Sequence, residues 1–188
     1  YSGLIHASTG TGKTLAACLG PFIENLNDFS TVSTGLKMIW ITPMRSLARD
    51  TEKSLREICE GIGLSWEIKR RTGDTTSTER IKIRKNPPQL LIITPESFSL
   101  MLSYEDFEKR LKTVQCVVVD EWHELIGSKR GVQLELCLSR IRGLNKNLKT
   151  WGLSATLGNV KEASDVLLGS HQIKQKKIIS SDQFKKID

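Results

Sequence analysis

A lysine and a threonine behind two glycines, and far downstream a pair of adjacent acids, are the residues whose types and spacing could handle phosphate. The first set is Ala7-Ser8-Thr9-Gly10-Thr11-Gly12-Lys13-Thr14. It follows the strand-like run Leu4-Ile5-His6 and precedes an apolar helical pattern, the context a phosphate-binding loop needs. Triphosphate oxygens concentrate negative charge, and backbone N–H groups gathered at a helix N-terminus complement it. Ser8, Thr9, Gly10, Thr11 and Gly12 would form that cradle, the two glycines allowing a turn and a close approach that a side chain would block. Lys13 would bridge the terminal phosphates of ATP, and the Thr14 hydroxyl would hold Mg²⁺.

The second set is Asp120-Glu121, which ends the apolar run Val114 to Val119. A carboxylate at the end of a buried strand can orient the hydration shell of Mg²⁺, a hard cation that prefers oxygen. A neighbouring carboxylate can then position and deprotonate an attacking water. Asp120 is assigned to Mg²⁺ and Glu121 to the water. The two sets together read as a nucleoside triphosphatase.

The elements that would carry these residues alternate. Helical spacing of Leu15, Leu19, Phe22, Ile23 and Leu26 predicts a helix from 13 to about 27, with Pro21 expected to kink it. Asn27 to Thr34 reads as a polar connection, Leu36 to Thr42 as a buried strand, and Leu47 to Ile62 as a helix closed by Gly61 and Gly63. A strand over Leu64 to Arg70, the turn at Arg71-Thr72-Gly73-Asp74, and a polar helix to about Arg84 follow. Leu90 to Ile93, Val114 to Val119 and Leu148 to Leu153 are further apolar strands. Helices are expected from Pro95 onward, through Leu134 to Leu144, and over Asn159 to Leu168. Strands that are nearly all apolar, alternating with helices, predict an α/β fold with a mostly parallel sheet covered on both faces. Ligands of such sheets gather at the carboxyl ends of the strands, where every suggestive tripeptide here falls.

Composition narrows the function classes. The 188 residues suit one domain, and a net charge of +7 favours an anionic partner. No apolar run is long enough for a membrane span. Cys18, Cys59, Cys116 and Cys137 form no C-x-x-C pair and lie in apolar periodic segments, so buried reduced thiols are expected. His6, His123 and His171 lack metal-ligand spacing.

Several motifs carry a family resemblance. Asp120-Glu121-Trp122-His123 has the D-E-x-H form of superfamily 2 helicases, and Ser154-Ala155-Thr156 matches their third motif. Thr42-Pro43-Met44-Arg45-Ser46-Leu47-Ala48 resembles motif Ia, and Ile93-Thr94-Pro95-Glu96-Ser97 resembles motif Ib. The stretch Val119 to Val132 looks most like the large helicase-related group, within which bacterial ligase-associated DEXH-box DNA helicases are the nearest comparison. The resemblance implies a RecA-like P-loop NTPase sandwich as the first motor domain over residues 1–168. Residues 169–188 are then a linker or the start of a second motor domain.

It further implies roles residue by residue. His123 would join the catalytic set, and Ser154 and Thr156 would couple the nucleotide site to the strand-binding surface. Pro43, Arg45, Thr72, Gly73, Thr94, Pro95 and Glu96 would line a nucleic-acid track. Contacts of this kind position a strand without reading its sequence. Residues 67–85 add a basic segment, which also reads as a solvated helix face. Trp66 and Trp122 could stack on bases or pack in the core. Single-stranded DNA is the implied partner, in bacterial cytoplasm at the nucleoid and in DNA repair, with movement from 3′ to 5′. An RNA helicase and a nucleotide-gated binding module without unwinding stay open as alternatives. The family's adenine-reading segment and the second domain's arginine fingers would lie outside this chain. Alone, it is expected to bind ATP weakly, hydrolyse it very slowly and not unwind duplexes.

Overall fold

The computed structural model describes residues 1–26, 35–169 and 176–180. Within them seven strands form one sheet: β1 (Ser2–His6), β2 (Met38–Ile41), β3 (Ile68–Arg71), β4 (Leu90–Ile93), β5 (Cys116–Val119), β6 (Lys149–Ser154) and β7 (Lys176–Ser180). Their order across the sheet is β3-β4-β2-β5-β6-β1-β7, and every pairing is parallel. The central strands MIWI, LLII and CVVV are wholly buried. That is what burial on both faces demands. The edges differ: β3 is IKRR and β7 is KKIIS, both carrying basic residues that discourage pairing with another chain.

Eight helices are described: α1 (Lys13–Leu26), α2 (Arg45–Gly61), α3 (Ser77–Lys85), α4 (Pro95–Leu102), α5 (Glu105–Leu111), α6 (Trp122–Leu125), α7 (Lys129–Leu144) and α8 (Val160–Leu168). The two-residue alternation of the strands divides the core. Ile39, Ile41, Leu91, Ile93, Val117 and Val119 face a cluster with Phe98, Phe107, Leu138 and Leu167 of α4, α5, α7 and α8. Met38, Trp40, Leu90, Ile92, Cys116 and Val118 face Phe22 and Leu55 of α1 and α2. All four cysteines are buried and free. Burial pushes the Cys18 and Cys116 thiols up to about 12 and that of Cys59 to about 11, so they hold their protons at neutral pH.

Several sequence expectations need correction. Helix α1 is not interrupted by a turn at Pro21 but continues through it to Leu26, the Pro21 carbonyl accepting from Asn25 Nδ2 at 2.8 Å. Strand β3 starts only at Ile68; ahead of it the Glu67 amide donates to the Gln89 side chain instead of to a strand. The helices α5 and α6, short and flanked by polar residues, have no counterpart in the periodicity. Lys176–Ser180, placed by sequence pattern in a linker or another domain, is an edge strand of this same sheet, paired along all of β1. The polar connection at Asn27 to Thr34 and His171 lie outside the described residues.

Candidate functional site

Because every strand is parallel, the loop after each one opens at the same edge of the sheet. That edge has two halves. The phosphate-binding loop, Asp120-Glu121 and Ser154-Ala155-Thr156 follow the neighbouring strands β1, β5 and β6. Thr42-Pro43, Thr72-Gly73 and Thr94-Pro95 follow β2, β3 and β4. The chain starts in the first half with β1, makes β2, β3 and β4 consecutively in the second, and returns to the first with β5 and β6. Between β2 and β5 runs the seam.

In the first half the loop bends through Gly10 and Gly12 at φ 83° and 85°, a region where L side chains are strained, and no atom lies within 4 Å of where a Cβ would stand. The loop is secured by Thr11 Oγ1 donating to Ser8 O at 2.7 Å and by Ala7 N donating to Ser154 O at 3.1 Å. Lys13 Nζ folds back, donating to the carbonyls of Ala7 at 2.6 Å and Ser8 at 2.9 Å. Thr14 sits partly buried at the start of α1.

Asp120 is aimed from behind. Trp40 Nε1, on β2, donates to Asp120 Oδ2 at 3.1 Å, and the Glu121 amide donates to Oδ1 at 3.0 Å. Burial pushes the Asp120 carboxyl above its usual range, the Glu121 charge adds to this, and the Trp40 and amide bonds and Lys13 only partly offset it. Such a carboxylate gains from a nearby cation. Glu121 has φ 45° and ψ 48°, the only positive φ outside glycine among the described residues. This left-handed turn costs about 1–2 kcal/mol and is the kind of strain found at functional sites. Its Oε2 is buried with no hydrogen bond and lies 3.4 Å from His123 Nδ1, an ion-pair distance only. His123 Nδ1 also meets Ser154 Oγ at 3.2 Å, and Ser154 Oγ donates to Thr156 O at 3.4 Å. Glu121, His123 and Ser154 are thus in series, while Thr156 enters through its carbonyl and keeps an exposed side chain. The helix that follows is capped by Asn159 Oδ1, which accepts from Glu162 N at 3.1 Å.

These donors fit a magnesium–triphosphate. The loop leaves open space on the Cβ side of Gly10 and Gly12, a lysine and a hydroxyl begin the helix, and one partly buried carboxylate stands beside them. No group of three His, Cys, Asp or Glu side chains makes a metal cage among the described residues. Mg²⁺ is commonly held by one or two carboxylates together with substrate phosphates.

The second half is closed by its own ion pairs. Arg45 Nη1 meets Asp74 Oδ1 at 2.5 Å, both side chains more than half exposed, and a Cβ on Gly73 would collide with the Arg45 guanidinium. Arg80 Nη2 holds the turn through Gly73 O at 2.7 Å. Of the expected track residues only Arg45, Gly73 and Glu96 are exposed; Pro43, Thr72, Thr94 and Pro95 are buried. The buried four shape loops, leaving backbone and neighbours to face a ligand. Thr94 Oγ1, for instance, bonds Ser97 Oγ at 3.1 Å. Trp122 is fully buried with Nε1 donating to Ala163 O at 2.9 Å, and Trp66 packs edge-on to Phe22 at 5.2 Å, so both belong to the core. Sequence reading missed Trp40 and Arg130; Arg130 Nη2 donates to Pro43 O at 2.6 Å, and its Nε to Glu96 Oε1.

The family model for the DEAD/DEAH box helicase matches residues 2–163. The chain belongs to that family. It is 40% identical over 88% of its length to the ATP-dependent helicase Lhr-Core of Methanothermobacter thermautotrophicus, and 37% identical over 87% to the Lhr helicase/uracil glycosylase of Escherichia coli. It spans only 20% and 11% of those two proteins. Among solved structures it is similar to Mycobacterium smegmatis helicase Lhr bound to ssDNA and AMP-PNP, with TM-score 0.81, 35% identity, and coverage of 96% of this chain and 24% of that one. The large helicase-related resemblance and the RecA-like fold are both met by these relatives. No helix among the described residues is long and apolar enough to cross a membrane.

Proposed function

We propose that this chain is the first motor domain of an ATP-dependent helicase or translocase that moves along single-stranded DNA. The observation that carries the reading is the division of one sheet edge into a phosphate half and an adjoining loop half. The similarity to a helicase solved with ssDNA and a nucleotide analogue supports it. Lys13 binds the terminal phosphates of ATP once it exchanges its Ala7 and Ser8 carbonyls for them. Thr14 and Asp120 hold Mg²⁺, which when bound neutralises charge developing on the phosphates. Glu121 Oε2, buried and without a hydrogen bond, takes the proton of the attacking water. His123 and Ser154 carry changes at Glu121 to β6, since an imidazole and a hydroxyl can exchange partners without a net charge crossing.

Exposed pairs such as Arg45–Asp74 contribute only about 0–1 kcal/mol, so a backbone phosphate can take Arg45 from Asp74. Completion of the ATP site requires a second motor domain elsewhere in the full-length protein, working in the cytoplasm. The test is ATP hydrolysis by the full-length protein with single-stranded DNA against RNA of the same sequence. At least about tenfold greater stimulation by DNA is expected; equal or greater stimulation by RNA makes it an RNA motor, and none by either removes the reading.

A further inference from the structure

The resemblance in Val119 to Val132 extends past the acids into Ser128-Lys129-Arg130-Gly131, residues that ATP chemistry does not use. Their placement is unusual. Arg130 stands in the first turn of α7, on the chain segment that leaves β5 and Asp120-Glu121, yet its side chain crosses the seam into the other half of the edge. There it holds two loops together. Nη2 donates to the carbonyl of Pro43 after β2 at 2.6 Å, while Nε and Nη2 address both carboxylate oxygens of Glu96 after β4, the latter at 3.4 Å. A planar guanidinium can hold a carboxylate side-on and a carbonyl at once; an ammonium cannot match that geometry.

The base of this strut is tied to the acids. Ser128 Oγ caps α7 by accepting from Gly131 N at 3.1 Å and donates to Leu125 O at 2.6 Å. A Cβ on Gly131 would overlap the Leu125 carbonyl, so α7 begins in backbone contact with α6. Helix α6 in turn begins directly after Glu121, its N-cap position, with Trp122 and Leu125 fully buried. From Glu121 to Arg130 the chain is a packed unit.

We propose that Arg130 is a positioning residue that couples the Glu121 segment to the strand-binding loops, setting the spacing of the Pro43 and Glu96 loops without touching DNA itself. Glu96 is then the strut's anchor and not a phosphate contact, which also removes the difficulty of a carboxylate facing a polyanion. Partial burial pushes the Glu96 carboxyl up, but its Arg130, backbone and Thr94 bonds outweigh this and leave it below the usual range, ionised for its partner.

The inference rests on the proposed DNA motor, and the experiment separates the two. In full-length protein, Arg130→Ala and Arg130→Lys should each raise the single-stranded DNA concentration for half-maximal ATPase by about tenfold, equivalent to roughly 1.4 kcal/mol. Hydrolysis without DNA should stay within about twofold. The salt dependence of DNA affinity should keep its slope, because no phosphate contact is lost. Glu96→Gln should shift half-saturation in the same direction, and the Arg130→Ala/Glu96→Gln double variant should add little to either. A slope reduced by about 0.7 in Arg130→Ala would make Arg130 a direct phosphate ligand and overturn the proposal. So would a lysine variant that behaves as wild type, or an equal loss of hydrolysis with and without DNA. A wild-type protein whose hydrolysis ignores DNA overturns the motor reading, and this inference with it.

Discussion

The two halves of the sheet edge solve opposite problems. On the β5-β6-β1 side, groups wait unpaired: Glu121 Oε2 has no hydrogen bond, and the glycine turn faces open space. On the β3-β4-β2 side the exposed charges are already satisfied, Arg45 by Asp74 and Glu96 by Arg130. Buried polar atoms without partners are costly, about 1–3 kcal/mol each; Thr42 Oγ1 and Arg71 Nη1 carry that cost in the second half as well, but only in the first does the unpaired atom, Glu121 Oε2, sit among phosphate-handling candidates. Exposed pairs cost little to exchange, so in the proposed motor the second half would grip and release a polymer repeatedly. Such a motor needs both: chemistry that is committed, and contacts that are not.

The largest effect that tests this contrast is expected from Glu121→Gln. In full-length protein it should lower DNA-stimulated hydrolysis by about 10²- to 10⁴-fold while ATP binding persists, measured by turnover and by nucleotide titration. A protein that remodels its target by binding alone would be indifferent to it.

Next comes the support behind the acids. Trp40→Phe keeps the apolar ring but removes a donor to Asp120 Oδ2. It should cost about 1–3 kcal/mol of transition-state stabilisation or stability, read as a lower kcat with a higher Mg²⁺ requirement, and as a lower Tm.

The rim should respond more gently and in a salt-dependent way. Arg45→Ala should weaken single-stranded DNA binding less than about tenfold and reduce the slope of log affinity against log salt by about 0.7. Asp74→Asn, by freeing Arg45, should tighten binding about two- to fivefold at low salt, an effect that fades above the screening range. If Asp74→Asn weakens binding, the pair is not exchanged for phosphate.

The smallest effect is a slope. Asp120 holds its proton more tightly in the folded, nucleotide-free protein than its usual 3.8 in the unfolded chain. Between that value and the raised folded value the native state binds the extra proton, so stability contributed by Asp120 falls as pH rises through this window. Comparing unfolding of wild type with Asp120→Asn across acid pH should show the wild type losing ground as pH increases, with the trend vanishing above the window. Absence of that trend would mean that burial does not penalise the ionised Asp120 carboxylate.

Much of the fold could be read in advance because buried parallel strands are continuous apolar runs: Met38–Ile41, Leu90–Ile93 and Cys116–Val119 stood out without any neighbour being known. Strand β7 did not. With lysines and four exposed residues in five it lacks the buried pattern, and its place comes from ladder bonds to β1. The short helices α5 and α6 were missed because a stretch of 7 or 4 residues cannot display a helical period. The Leu64–Trp66–Ile68 alternation was a true sign of burial for Trp66 and Ile68, but burial by loop packing and by a strand look alike in one dimension.

The sequence by itself determined which residues were candidates for chemistry: Lys13, Thr14, Asp120 and Glu121 stand out because phosphate loops and strand ends are local, and local order is written in consecutive residues, while His123 and Ser154 were marked only by the helicase resemblance. Only the tertiary structure decided how those residues are aimed. Trp40 reaches Asp120 over 80 positions and Arg130 reaches Pro43 over 87, both across the β2–β5 seam. Glu121 adopts a left-handed backbone that nothing in its residue type announces. Pairings of this kind arise when a parallel sheet brings strand ends together in an order different from that of the chain, and no period or spacing in the sequence records that order.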